Sequence, residues 1–103
     1  MDAGALEQLT PTRTVLRNGV ELHHVAGGEG PPLIFIHGVM GDWRSWAPQW
    51  ADFCARFRCV SYSRRYNHPN RNDMPSPDHS ALVEAEDLRL LLDALGWEQA
   101  VLV

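Results

Sequence analysis

Lysine is absent from the 103 residues; all nine basic side chains are arginine, set against thirteen carboxylates for a formal net charge of −4. Only Arg64 and Arg65 are adjacent, so neither the balance nor the spacing gives the basic stripe a nucleic-acid surface requires. Apolar runs are short, none approaching the ~20 residues of a membrane span. The opening residues Met1 to Gln8 have no basic flank and no apolar run, which is not the pattern of a secretory leader. Cysteine is scarce: Cys54 and Cys59 suit buried small hydrophobes better than a disulfide framework. His23, His24, His68 and His79 form no zinc spacing with them. No metal, cofactor, nucleic-acid partner or membrane contact is expected, and the setting expected is cytoplasmic. Gly-x-Gly-x-x-Gly and Gly-Lys-Ser/Thr are missing, removing the usual grips on nucleotides. Gly-x-Ser-x-Gly, the strained turn that exposes a catalytic serine, is missing as well.

What is present is an alternation of short apolar runs and helical periods. Residues 1–11 read as a flexible arm ending at Pro11. Thr12 to Arg17 and Val20 to Ala26 are β-prone runs flanking Asn18-Gly19, a hairpin signal in which both turn positions take positive φ. Leu33 to Ile36, entered through Pro31-Pro32 and left through His37-Gly38, reads as a buried central strand. Trp43, Trp46, Trp50, Phe53 and Phe57 recur at steps of three and four, one face of a helix capped by Ser45 with Pro48 in its first turn. Such a stripe is core; Trp43, nearest the glycines, is a candidate pocket residue. Cys59 to Ser63 forms the next strand. Arg64 to Asp78 is irregular and long enough to suggest a function. A helix from Ser80 to Leu95 follows, with Leu82, Ala85, Leu88, Leu92 and Leu95 on its apolar face and Gly96 as its stop. Glu84 and Asp87 fall on its solvated side. Ala100 to Val103 begins a last strand. Hairpin, strand, helix, strand, helix, strand implies an antiparallel amino-terminal hairpin followed by parallel strands with helices on both faces, an α/β fold within one domain over 1–103.

Gly30-Pro31-Pro32 before the central strand, His37-Gly38 after it and Trp46 beyond resemble the third strand and following loop of the α/β-hydrolase family. The resemblance runs from the first hairpin to the last strand and stops where that family places its nucleophile elbow. It implies a partial α/β-hydrolase fold and a hydrolase of small-molecule, ester-like or related substrates. In the family a nucleophile (Ser, or Asp in some branches), a His and an acid work beside a backbone oxyanion hole. By that resemblance the oxyanion donor is the Val39 N–H, His37 and Gly38 support its loop, and Met40, Trp43 and Arg65 are candidate pocket-lining residues. The triad itself is not expected within these residues, and the chain by itself is expected to be inactive. Ser63-Arg64-Arg65-Tyr66 departs from the family's Asp-x-Arg-Gly, keeping only its Arg at Arg65. A strand running through glycines into a helix also suits a small-molecule or anion-binding module. An apolar edge strand at Ala100 to Val103 suits an interaction module that self-associates.

Overall fold

The computed structural model describes residues 5–72 and 81–103. Five strands form one sheet: β1 (Thr12–Val15), β2 (Glu21–Gly27), β3 (Pro32–Ile36), β4 (Arg58–Tyr62) and β5 (Val101–Leu102), ordered β1-β2-β4-β3-β5. β1 pairs antiparallel with β2, and β2 antiparallel with β4. β3 runs parallel to both β4 and β5. Helix α1 spans Ala47–Cys54 and α2 spans Ala81–Leu95.

Alternation along each strand splits the core in two. Ile34, Val60 and Tyr62 face α2 and pack with Leu22, Leu90, Leu91 and Trp97. Leu33, Phe35 and Cys59 face the other way, against Trp50 and Cys54 of α1. The strands of the sheet's centre are apolar on both sides because both sides are covered, which is why they read as continuous hydrophobic runs. Phe35 organises the α1 layer, stacking on Trp46 with ring centroids 5.1 Å apart and meeting Phe53 edge-on at 5.4 Å. The aromatic stripe is therefore core. Its helix is shorter than the period suggested, because Trp43 to Trp46 lie in turns ahead of α1.

Several local expectations are corrected. The hairpin turn is a three-residue loop, closed by Leu16 N–H to Val20 O at 2.8 Å, with only Gly19 at positive φ. Asn18 keeps an ordinary φ, and its Oδ1 accepts the Val20 N–H. Residues expected to be a loose arm include a 3₁₀ turn at Leu6–Gln8, with Leu6 buried beneath Trp50 and its neighbours. Burying a leucine contributes roughly 1.5–3 kcal/mol, enough to hold that turn down. Ser45 does not cap α1, whose N-cap is Trp46; its hydroxyl instead accepts the Asp42 N–H at 3.1 Å.

The expected face of α2 is met in part: Leu88, Leu92 and Leu95 pack against the core. Leu82 is 83% exposed and Ala85 is exposed, whereas Asp87, Leu90 and Leu91 are buried. A charged residue holds the centre of the buried stripe, which hydrophobic periodicity cannot anticipate. Its expected start at Ser80 lies outside the described residues, as do His79 and the loop beyond residue 72. The helix ends as expected at Gly96 (φ +74°): Gly96 N–H bonds Asp93 O and Trp97 N–H bonds Leu92 O, the paired bonds of a Schellman stop.

Candidate functional site

The site begins where β3 ends. His37 is buried, and the backbone N–H of Arg64 donates to its Nε2 at 2.9 Å. A backbone amide can only donate, so Nε2 is the acceptor, and Nδ1 carries the proton it donates to Gly38 O at 2.5 Å. Burial holds this imidazole below its ordinary range, the Gly38 carbonyl opposing that less strongly. His37 is thus a neutral latch between the ends of β3 and β4, with both nitrogens engaged.

The Gly38 carbonyl also accepts the Gly41 N–H at 3.1 Å. Because the peptide is planar and trans, a Gly38 carbonyl drawn toward His37 turns the Val39 N–H to the opposite side. Among the described residues that N–H meets no acceptor. Neither glycine has positive φ, and only Gly41 is required for space. A Cβ on Gly41 would sit 2.3 Å from Ser45 Oγ, whereas one on Gly38 would meet nothing within 4 Å. Asp42 closes the loop, its carboxylate accepting the Arg44 N–H at 2.8 Å and the Arg44 guanidinium, which holds it below the usual carboxylate range.

The irregular stretch after β4 forms the facing wall. It is stitched to its surroundings by three asparagines that bond mainly to backbone. Asn70 donates to Ser63 O and Arg64 O and meets His23 Nδ1. Asn72 exchanges bonds with the Glu21 backbone and donates to Arg65 O. Asn67 reaches the loop after β3, donating to Val39 O at 2.8 Å and Gly41 O at 3.0 Å. Between the two walls lies a cleft of ≈ 330 Å³ lined by Val39, Arg64, Tyr66, Asn67 and Glu84.

Val39, His37 and Gly38 therefore sit together. Met40, Trp43 and Arg65 do not line this cleft. Met40 projects into solvent at 97% exposure, and Trp43 is packed in the α1 layer. Arg65 turns away to bind Asp87 through two hydrogen bonds of 2.8 Å, which raise its guanidinium further above its ordinary value. Asp87 and Glu84 are not on a solvated face: Asp87 is fully buried, and Glu84 pairs with Arg64 at 3.4 Å on the cleft wall. The signal available in the sequence was a pair of arginines with no acid beside them and two acids one helical turn apart. Ser61 and Ser63 are fully buried, with hydroxyls committed to Trp43 O and His68 O.

Comparison with known proteins bears on the same stretch. A family model described as the alpha/beta hydrolase fold matches residues 31–103. The chain belongs to the α/β-hydrolase fold family. Among its relatives is epoxide hydrolase 1 of Caenorhabditis elegans, 32% identical over 96 residues, covering 89% of this chain and 23% of that protein. Epoxide hydrolase 1 of Siraitia grosvenorii is 33% identical over 92 residues, covering 87% and 29%. A solved structure described as a novel epoxide hydrolase of the α/β-hydrolase superfamily, from metagenomes of hot environments, superposes with a TM-score of 0.85 at 29% identity. It covers 92% of this chain and 33% of the other. The α/β-hydrolase chain described here thus spans less than a third of the length of these two curated relatives. Within the described residues no helix is long and apolar enough to cross a membrane.

Proposed function

We propose that this segment supplies the oxyanion side of a hydrolase active site for a small-molecule substrate, with the Val39 backbone N–H as a donor. The observation that carries the reading is that N–H, without an acceptor among the described residues, on a cleft-lining residue, in a loop latched by a neutral buried histidine. Preorganised donors of this kind stabilise charge that develops on oxygen, and losing one costs about 10²–10³ in kcat. Epoxides are the first substrate class to test, because the relatives described above carry that name. His37 is not the proton-transferring histidine in this reading, since both ring nitrogens are occupied. Neither Ser61 nor Ser63 is the nucleophile, since both are fully buried.

The decisive variant is Val39→Pro in a protein that joins this segment to a nucleophile–His–acid triad. It removes the N–H, and kcat should fall about 10²–10³-fold with cooperative unfolding retained. Undiminished turnover in the folded variant overturns the assignment. The 103 residues alone should give no covalent burst with an activated ester, and a burst would count against the roles given to His37, Ser61 and Ser63. A second reading, an anion-binding module without turnover, is favoured by Arg64 and the Val39 N–H sharing one cleft. Saturable phosphate binding by a chain with no part in turnover would select it. The exposed apolar residues Val101, Leu102 and Val103 at the β5 edge support self-association, which sedimentation tests directly.

A further inference from the structure

The loop carrying Val39 is not held by side-chain packing. Val39 is 75% exposed and Met40 is 97% exposed, so the two apolar residues at its tip have no core to anchor them. Their geometry rests on hydrogen bonds to carbonyls, and these come from two directions. Gly38 O is taken by His37 Nδ1 and the Gly41 N–H. The next carbonyl, Val39 O, and then Gly41 O are both taken by Asn67, whose backbone belongs to the turn after β4. That turn is anchored independently, through Ser63 Oγ to His68 O and Asn70 to the Ser63 and Arg64 carbonyls.

We propose that Asn67 is the positioning residue of the oxyanion loop: its Nδ2 pins the Val39 and Gly41 carbonyls, so that the donor Val39 N–H and not a carbonyl borders the cleft. This rests on the oxyanion reading above. With Asn67 removed, the Val39–Met40 and Gly41–Asp42 peptide planes are free to rotate. A carbonyl rotated into the cleft would repel the charge that Val39 N–H is placed to stabilise. His37 fixes one side of Val39 and Asn67 fixes the other; neither alone determines the plane orientations on both sides. An asparagine suits this task because one Nδ2 carries two hydrogens, one for each carbonyl. Aspartate, of the same shape, has none when ionised.

Two measurements separate this inference from the reading beneath it. In the 103-residue chain, amide hydrogen exchange at Asp42, whose N–H shares a peptide plane with the clamped Gly41 carbonyl and donates to Ser45 Oγ, should quicken about fivefold to tenfold in Asn67→Ala, the worth of one net hydrogen bond. Amides of β3 and β4 should keep their protection. Unchanged exchange at Asp42 in a folded variant overturns the clamp, whatever the catalytic result. In a triad-complete hydrolase carrying this segment, Asn67→Ala should lower kcat about tenfold at unchanged KM, less than loss of the donor itself. Asn67→Asp should lose at least as much at neutral pH and recover part of it on acidification, as a protonated carboxyl regains one donor. If Val39→Pro abolishes turnover while both Asn67 variants retain it, Asn67 has no positioning role and the oxyanion reading survives. If Val39→Pro turns over normally, the oxyanion reading fails, and with it the catalytic part of this proposal.

Discussion

Arg65 grips Asp87 with two parallel hydrogen bonds, Nε to Oδ2 and Nη2 to Oδ1, each 2.8 Å long. Asn18 of the hairpin turn adds a third donor to the same carboxylate at 3.2 Å. One buried acid on α2 therefore ties together the helix, the loop that walls the cleft and the far hairpin. Breaking such a pair from one side leaves an uncompensated buried charge, which costs about 3–5 kcal/mol. Arg65→Met should lower the unfolding free energy by that order in a urea titration. The double variant Arg65→Met/Asp87→Leu should recover most of the loss, because the stranded carboxylate is gone. A double variant as unstable as the single one would show that the pair's geometry, not its charge, holds the loop.

Burial holds both His24 and His37 below the ordinary imidazole range, with His23 adding to the effect at His24. In the unfolded chain each takes up a proton near ~6.5; in the folded chain only at lower pH. Between those values the unfolded state binds more protons. The stability contributed is full above pH ~6.5 and is lost as the pH falls through the folded-state values. Unfolding free energy should thus decline from pH 7.5 to about 5.5, above the range where most carboxylates titrate. His24→Leu should shallow that slope, as its Nδ1 is buried with no hydrogen-bond partner among the described residues. A flat profile over this interval would contradict the assignment of neutral imidazoles.

Ser63 is a joint in the backbone rather than a reactive group. Its hydroxyl accepts the Trp43 N–H at 3.0 Å while donating to His68 O at 2.6 Å. Ser63→Ala should cost about 1–3 kcal/mol, the penalty of leaving a buried amide unpaired. A fluorophosphonate should label neither Ser61 nor Ser63 in the native chain by peptide mass spectrometry. Labelling at either would reopen the question of a nucleophile.

Gly19 and Gly28 share a φ of +83° but differ in surroundings. An added Cβ at Gly19 meets nothing within 4 Å, while at Gly28 it would lie 2.3 Å from Phe57 O and 2.5 Å from Cys54 O. Gly19→Ala should cost only the strain of the left-handed backbone, about 1–2 kcal/mol. Gly28→Ala must also push apart the β2 end and the α1–β4 turn, so it should be the more damaging of the two. Thermal melts of equal depression would show that the turn after α1 yields easily.

Much of the frame was legible because it follows from local chemistry. The Ile34–Val60 layer, the aromatic face of α1 and the Gly96 stop are written as apolar alternation, period and punctuation. The hairpin was legible in place but not in kind, since Asn18-Gly19 signals a turn whose length depends on the register of Leu16 with Val20. The face of α2 was legible at Leu88, Leu92 and Leu95 but misread at its amino-terminal half and at Asp87, a buried carboxylate that the distant Arg65 and Asn18 make tolerable. The cleft was partly legible: His37-Gly38-Val39 could be located by pattern and the stretch after Ser63 by its length, but the contacts that hold that wall could not. Asn67, Asn70 and Asn72 bind mainly backbone carbonyls and amides, and such partners leave no signature in side-chain sequence.

The strand order carries a consequence for assembly. β2 and β3 share no ladder; β4, later in the chain than either, is inserted between them. Until Arg58 to Tyr62 have been made, the hairpin and the central strand have no shared edge. The central strand therefore has no ladder partner among the residues that precede it, and the latch between His37 and Arg64 requires β4 in place.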